Sequence, residues 1–542
     1  MNAHTLFGKD KFVIKAQQVL GLCLIFMFSG LSNQASAQHN HQQLGEITFD
    51  TSCNAQAEET FKSGLALYHH MMYGQAEKVF SEATQQDSKC AIAYWGKAMT
   101  YFHPLWPGLP SEAELKNGTA ALKKAKKIRG TSAKEKAFIN AATAFFKDWQ
   151  KVEHKARVQT WETAQRALFE QYPDNIEAGA LYGLSHLATA PKSDKSFTHQ
   201  KEAGALLEEL LAKAPQHPGL FHYIIHAYDN PVLAPRAVDV ARGYDKLAPE
   251  VPHALHMPTH IFVRLGMWDD VIQWNIRSAE AAWNQPAGDK TSMHYVHALD
   301  YLMYAYLQQG EIAKANNVLS KIKAVDNFQA VSAAAYGIAA AQARLPLERR
   351  QWKIAASLDL RTNSSFPWDR FPEFEAMAYF ARGYGAAKLG DLDGANEALQ
   401  VLDGLYQKAV DAGQSYWSVH VDSERKTVAA WIAYANSDYK TAAETMRLAA
   451  DIEDSVDKHP VTPGAVLPAR ELLGDLLLLL DKPAKALEAY EASLLISPNR
   501  FNSISGAARA AALLGDQEKA ASYASQLVAL TQSARQEITQ AN

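Results

Sequence analysis

The stretch "ELLGDLLLLLDKPAKALEAYEASLLISP", residues 471–498, contains the pattern that decides the fold. Small residues, an aromatic residue and a proline recur in it at fixed intervals, at Gly474, Ala486, Tyr490 and Pro498. The stretch "SGLALYHHMMYGQAEKVFSEATQQDS", residues 63–88, repeats the spacing at Gly64, Ala76, Phe80 and Ala83. Small residues let two helices approach closely and the aromatic ring fills the space between them, so this spacing predicts paired helices.

This spacing resembles the tetratricopeptide repeat (TPR). Further copies surround Ala237, Gly266, Gly310, Gly390 and Ala442. The resemblance implies an all-α fold, a TPR-like α-solenoid of roughly ten helix-turn-helix pairs. It also implies a concave face, lined by the first helix of each pair, that binds a protein, a peptide or a small polar ligand.

The repeat pattern divides the chain into segments. N-terminal repeats are expected at 53–104, histidine-rich repeats at 176–325 and C-terminal repeats at 326–535. Residues 105–175 break the period and begin with the proline-rich stretch "PLWPGLPSEAELKNG". We expect an irregular helical insertion there, because proline interrupts helices.

The amino terminus has the pattern of an export signal. Three lysines precede an apolar run, and "ASA" at 35–37 places small residues at a cleavage point. We therefore expect a signal peptide at 1–37, cleavage near Ala37 and a flexible mature terminus at 38–52. The apolar run is too short for a stable membrane span, so the mature protein is expected to be periplasmic or secreted.

Two cysteines follow the expected signal peptide. In the repeat register Cys53 and Cys90 each lie just before the first helix of adjacent repeats. An exported protein can form disulfides, so we expect a bridge between them. The alternative is two free, buried thiols.

The charge of the chain argues against a polyanionic partner. The formal net charge is −4 and no basic run stands out, so nucleic acid is not expected as a partner. The sequence contains no nucleophile elbow, phosphate-binding loop, HExxH motif or dinucleotide fingerprint. The motifs therefore name no reaction.

Histidines are concentrated in "PHALHMPTHIFVRLG", residues 252–266, and in neighbouring first helices. Two pairs are spaced i and i+4, so the members of each pair share a helix face. Neighbouring helices lie about 8–10 Å apart, which lets their side chains meet. Imidazole and carboxylate groups bind transition metals. The predicted metal ligands are His222, His226, His256, His260, His297 and Asp300.

Other residues at equivalent helix positions are expected to line the site. Among them Asp229, Tyr182 and His186 are expected to hydrogen-bond the ligands. The expected lining residues are Tyr182, His186, Asp229, His253, Arg264, Tyr304, His69, Trp95 and His103. We set His199 and His217 aside as chance neighbours.

Three interpretations of the histidines remain open. They could hold a transition metal (Zn, Fe, Cu or Ni), bind a polar ligand without metal, or form a structural network. The first favours an exported TPR binding or scaffold protein that holds a metal or a metal-dependent ligand. The alternatives are a metal-dependent enzyme on this scaffold and a metal-free peptide- or protein-binding module. The histidine segments also resemble an exported bacterial group of TPR proteins, from which we transfer no activity and no catalytic residue.

Overall fold

The computed structural model describes residues 43–106, 108–191 and 193–532. The expected signal peptide at 1–37, with cleavage near Ala37, lies outside these residues. Within the described part, regular structure is helical apart from two isolated β-bridges. The prediction of an all-α chain is confirmed.

Fifteen α-helices form the amino-terminal part of the array. Their bounds are α1 Ala55–His69, α2 Tyr73–Gln86, α3 Ala91–Met99, α4 Glu112–Lys127, α5 Ala133–Phe146, α6 His154–Gln171, α7 Ile176–Ala188, α8 Thr198–Lys213, α9 Pro218–Tyr228, α10 Val238–Leu247, α11 Pro252–His256, α12 Pro258–Leu265, α13 Trp268–Trp283, α14 Met293–Gln308 and α15 Ile312–Lys323. A 3₁₀ turn, Ala234–Ala237, precedes α10.

Ten further α-helices follow in the residues that the structure describes. They are α16 Ser332–Glu348, α17 Trp352–Ala356, α18 Pro372–Leu389, α19 Leu392–Asp411, α20 Ser415–Ala435, α21 Tyr439–Glu453, α22 Ala469–Leu479, α23 Pro483–Ile496, α24 Phe501–Leu513 and α25 Gln517–Leu530. Across the described residues, the helices pack as twelve consecutive pairs, because α11 and α12 together serve as one first helix. The fold is therefore a TPR-like α-solenoid.

The residues of the repeat pattern make the contacts within and between pairs. The Phe80 ring of α2 lies where Gly64 of α1 and Gly96 of α3 leave room for it. A Cβ atom at Gly64 would come within 2.8 Å of this ring, and one at Gly96 within 2.4 Å. Tyr490 fills the corresponding space near the other end of the chain, in contact with Gly474. The repeat spacing is thus a packing requirement of three successive helices.

The stretch 105–175, expected to be an irregular insertion, continues the array instead. Helix α4 packs against α3, and α5 packs against α6. First helices α3 and α5 are also in contact. The proline-rich stretch only lengthens the loop between α3 and α4, so it interrupted the sequence period without interrupting the helix pairs.

The inner face of the solenoid is largely buried, because first helices that are distant in sequence touch. Helix α1 contacts α9, and α14 contacts α24. The close approach of α1 to α9 requires a glycine, since a Cβ atom at Gly219 would lie 2.4 Å from His69 Nδ1. The face that the repeat register marks as concave is therefore mostly interior.

Residues 454–468, which join α21 to α22 and are called the inner segment below, occupy this interior. Tyr301 of α14 donates a hydrogen bond to the Pro460 carbonyl at 2.8 Å. Tyr416 of α20 donates to the Asp457 carbonyl at 3.0 Å. Two first helices, α14 and α20, thus hold the inner segment, which no repeat pattern predicts.

The amino-terminal segment, expected to be flexible up to residue 52, is anchored where it is described. The Gln43 side chain donates Nε2–H to the Lys246 carbonyl at 2.8 Å, and the Glu46 backbone N–H donates to the Gln216 carbonyl at 2.8 Å. Phe49 is buried against Phe61 and Phe138. Apolar and backbone contacts therefore order this segment without any helix.

A disulfide joins Cys53 and Cys90, whose Cα atoms lie 4.6 Å apart. It connects the starts of α1 and α3, the first helices of the first two pairs.

Among the described helices, none has the length and apolarity needed to cross a bilayer.

Loss of the disulfide should weaken the amino-terminal pairs. The C53S/C90S double variant should lose about 2–4 kcal/mol of unfolding free energy, because the bridge restricts the unfolded chain. Urea unfolding followed by circular dichroism would measure the change. Wild-type protein in a reducing agent should match the variant, and equal midpoints for variant and oxidised wild type would contradict a stabilising bridge.

Candidate metal centre

Three histidines, His256, His260 and His297, form the first histidine group. They come from α11, α12 and α14, and one ring nitrogen of each lies within 4.8 Å of the others. All three are buried. Pro258 has no N–H and separates α11 from α12, so His256 ends one helix while His260 lies in the first turns of the next.

The hydrogen bonds of this group determine which ring nitrogens carry protons. Asn275 donates its Nδ2–H to the Val271 carbonyl, so its Oδ1 is an acceptor and receives His256 Nδ1–H at 2.8 Å. The Asp229 carboxylate receives His260 Nδ1–H at 3.0 Å. Both neutral imidazoles therefore carry the proton on Nδ1 and have a lone pair on Nε2.

These two lone pairs face each other. The Nε2 atoms of His256 and His260 lie 3.1 Å apart. Without a cation or a shared proton between them, the contact is repulsive, since neither nitrogen has a hydrogen to donate. Each of the two nitrogens therefore has a lone pair that receives no hydrogen bond in this contact.

The surroundings disfavour a proton in that position. Burial, together with the charges of His297 and His260, holds the pKa of His256 well below its usual range. Burial also lowers the pKa of His260, although Asp229 opposes the shift. Both rings are consequently kept as neutral imidazole, the form that binds metals.

His222, His226 and His253 form the second histidine group. His222 donates Nδ1–H to the His69 carbonyl at 2.7 Å, and its Nε2 has no hydrogen-bond partner among the described residues. Neither ring nitrogen of His253 has one in that part of the chain. The ligand atoms of the group lie within 4.8 Å of one another. His226 faces the first group, with 5.8 Å between its ring centre and that of His260.

A cavity of about 30 Å³ lies between the groups and the inner segment. Its wall includes Trp106, whose ring is edge-on to His253 at 5.8 Å. The cavity has room for one or two water molecules.

His294, one turn before His297 on α14, lies 5.1 Å from His253 between ring centres and extends the cluster. We did not anticipate His294, although its i, i+3 spacing to His297 was visible in the sequence.

Asp300, predicted as a metal ligand, lies elsewhere. Its Oδ1 receives a hydrogen bond from Arg344 of α16. Burial raises the pKa of Asp300 to about 6, against the opposing charge of Arg344. The helix register correctly directs Asp300 inward, but the neighbouring first helix supplies a buried cation that takes the carboxylate.

His186 and Tyr182, expected to hydrogen-bond the ligands, are also outside the cluster. His186 lies between Glu162 at 3.2 Å and Glu202 at 2.9 Å. Tyr182 packs against Phe169. These contacts belong to α6, α7 and α8, whereas the first and second histidine groups come from α9, α11, α12 and α14.

His69 belongs to a separate buried network that includes His217. His69 and His217 each donate Nε2–H to Glu177, at 2.8 and 2.9 Å, and Tyr223 bonds His69 Nδ1 at 2.9 Å. Burial acts to raise the pKa of Glu177, but its two histidine neighbours hold it below the usual range. His217, which we set aside as a chance neighbour, lies outside both histidine groups and belongs to this network. The network closes α1 onto α7 and α9.

Two other expected lining residues are packing residues. Trp95 is buried among Phe61 and Phe138, in the core between helices. His103 stacks on Tyr73 at 4.2 Å and donates Nε2–H to the Thr100 carbonyl. Neither side chain reaches the histidine groups.

Asp229 and Arg264 lie beside the cluster as expected. Arg264 donates to Asp229 Oδ1 at 2.8 Å and to Asp457 of the inner segment at 3.0 Å. Lys458 approaches Asp229 Oδ2 at 3.3 Å. Burial opposes a charge on Asp229, but Lys458 and Arg264 hold its pKa well below the usual range. The Tyr304 hydroxyl, in contrast, accepts a hydrogen bond from the Arg500 guanidinium at 2.9 Å, and Tyr304 lines a different cavity.

Comparison with known proteins finds no matching family model and no matching curated protein. The chain is similar to solved helical structures. One is the human IFIT1 dimer with PPP-AAAA, with a TM-score of 0.39, 13% identity and coverage of 90% of this chain and 96% of that one. Another is the APC/C hetero-tetramer Cut9-Hcn1, with a TM-score of 0.31, 14% identity and coverage of 88% and 87%.

Such TM-scores and identities carry no argument about the ligand of this chain. The oligonucleotide belongs to IFIT1. The expectation that nucleic acid is not a partner stays a prediction.

Replacing Asp229 should destabilise the protein strongly. In D229N the charges of Arg264 and Lys458 lose a buried partner. This loss should lower the free energy of unfolding by about 3–5 kcal/mol. Urea unfolding would measure the loss. D239N, at an exposed position of α10, is the matched control and should stay within about 0.5 kcal/mol of wild type. Equal midpoints for the two variants would contradict the role given to Asp229.

Proposed function

We propose that this chain is an exported repeat scaffold that holds transition-metal ions at the histidine groups on its inner face. One observation supports this above the others: the Nε2 lone pairs of His256 and His260 face each other at 3.1 Å in a buried site. Two imidazole nitrogens bound at about 2.0–2.1 Å to one ion lie about 2.8–3.4 Å apart for bond angles of about 90–110°, a range that includes this distance.

The first histidine group is the proposed principal site. His256 and His260 bind through Nε2, and His297 supplies the third ring. Asn275 and Asp229 fix the two Nδ1–H tautomers and so orient the ligands. Imidazole ligands suit Zn, Cu, Fe or Ni. The group offers nitrogen ligands and no carboxylate oxygen, so Mg²⁺ and Ca²⁺, which prefer oxygen, are poor candidates.

The second histidine group is the proposed site of a second ion. His222 and His253 have buried ring nitrogens without hydrogen-bond partners in the described residues, and His226 completes the group. The 5.8 Å between the ring centres of His226 and His260 places the two groups side by side. Two ions here would share one cavity.

Export is part of the proposal. The expected signal peptide supports it, and so does the bridge between Cys53 and Cys90. Disulfides persist in oxidising compartments such as the periplasm and are rare in the cytosol. The resemblance to an exported bacterial group of TPR proteins agrees with this location.

A metal-dependent enzyme is the second candidate function. The cavity of about 30 Å³ beside the histidine groups favours it, because three protein ligands with room for water are typical of catalytic zinc sites. A bound water there would be acidified by the ion and could act as a nucleophile. The residues present do not identify a substrate.

Metal content tests the first function. Untagged protein dialysed against Zn²⁺ should retain about one or two ions per chain by elemental analysis. The H256A/H260A variant should lose the principal site, since two of its three ligands are gone, and should keep its helix content. H199A, a histidine outside both groups, should retain as much metal as wild type.

Two results would contradict the proposal. One is wild-type protein without stoichiometric metal after exposure to Zn²⁺, Cu²⁺ and Ni²⁺ in turn. The other is an H256A/H260A variant that binds as many ions as H199A.

An open coordination position would separate an enzyme from a storage or structural site. Azide should change the visible spectrum of Co²⁺-loaded protein if the cavity leaves one position for an outside ligand. The H256A/H260A variant, treated in the same way, is the control. An unchanged wild-type spectrum would favour a closed site and so count against the enzyme.

A further inference from the structure

A second and larger cavity, of about 240 Å³, lies on the other side of the inner segment. Aromatic and aliphatic side chains form much of its wall, among them Tyr336, Met377, Tyr416 and Trp417. Typical sites for drug-sized ligands measure about 300–1,000 Å³, so this cavity suits a smaller organic molecule.

Two carboxyl groups in the wall, Glu424 of α20 and Glu453 of α21, have no ion-pair partner among the described residues. Glu424 Oε2 is buried and has no hydrogen-bond partner there either. Glu453 Oε1 receives only the backbone N–H of Ala469, at 2.8 Å. A buried acceptor that lacks a donor is costly, so Glu424 Oε2 needs a partner.

The cations of the wall are not available to them. Arg264 is bound to Asp229 and Asp457. Lys458 is bound to Asp229. The other lysine and arginine side chains are Arg470, which pairs with Asp451 and Asp454, and Lys195, which is exposed. His420 of α20 also lines the cavity, but burial lowers its pKa to about 4, so it stays neutral. The wall therefore offers an acceptor pair with no internal counterion.

We propose that this cavity binds a small organic cation, an ammonium group on an apolar body, with Glu424 and Glu453 as its counterions. The aromatic wall accommodates the apolar body and can contribute cation–π attraction. A divalent metal is a poor occupant, because Ca²⁺ needs about 6–8 oxygen ligands and the wall supplies few. The proposal does not depend on metal at the histidine groups.

Without a bound cation, protons neutralise the two carboxyl groups near pH 7. Burial, and then the charge of Glu453, raises the pKa of Glu424 to about 8. Burial raises the pKa of Glu453 to about 8, with Asp454 adding to the shift and Arg500 and Arg470 opposing it. An ammonium ligand favours the ionised carboxylates, so its binding near pH 7 should release protons.

Calorimetry with phenethylammonium chloride tests the proposal on chelator-treated full-length protein. The cation should bind at least about tenfold more tightly than the neutral analogue 2-phenylethanol, because a charge-assisted contact is gained. Phenylacetate should bind more weakly still. The apparent heat should change with the ionisation enthalpy of the buffer, which reports the released protons.

Two variants and one control locate the binding. E424Q and E453Q should each weaken phenethylammonium binding by about tenfold or more, because one counterion is neutralised. E424Q should melt no lower than wild type near pH 7, since an amide then replaces a carboxyl group that is already mostly neutral. E444Q, at an exposed position of α21, should bind as wild type does.

Several results would overturn the proposal. They are no binding of phenethylammonium, equal binding of the cation and 2-phenylethanol, preference for phenylacetate, and Ca²⁺ binding that E424Q abolishes while the amine does not bind. Unchanged amine binding in both E424Q and E453Q would also overturn it.

Discussion

The interior of this solenoid depends on the carboxylate of Asp229. Its two oxygens accept hydrogen bonds from His260 of the first histidine group, Arg264 of α12 and Lys458 of the inner segment. The charge is buried, so it is tolerated only because two cations and a hydrogen-bonded imidazole surround it. The same carboxylate orients a candidate metal ligand and holds the segment that separates the two cavities. The histidine site and the inner segment are therefore parts of one electrostatic arrangement.

The sequence predicted the helices, and the helix register directed Asp300 and the histidines of the two groups inward. Gly64, Phe80 and Gly96 act locally, across helices that are adjacent in sequence, so their spacing is readable. What a side chain meets across the interior depends on closure of the array, which no spacing encodes. Asp300 was predicted as a metal ligand because the helix register does not show its partner. That partner, Arg344, lies on the following first helix. The inner segment was missed for a related reason, since it carries no repeat and is held by residues distant in sequence.

Closure also changes the physical character of the site. An open concave face would leave imidazoles in water, where they titrate near their usual pKa of about 6.5. Here most of the histidine side chains in the two groups are buried, as α1 contacts α9 and the inner segment occupies the interior. Burial keeps the rings neutral and strengthens every electrostatic interaction among them. The arrangement thus favours a ligand that needs neutral imidazole over a peptide that lies on an exposed groove.

A comparison of two of the three histidine clusters allows the structural interpretation to be weighed directly. In the network of His69, Glu177 and His217, every imidazole nitrogen has a hydrogen-bond partner, as a structural network requires. In the second histidine group, His222 Nε2 and both nitrogens of His253 have none among the described residues. Each buried polar atom left in this way costs about 1–3 kcal/mol. A network that served only stability would not concentrate such costs at one point, whereas a ligand that binds those nitrogens would remove them.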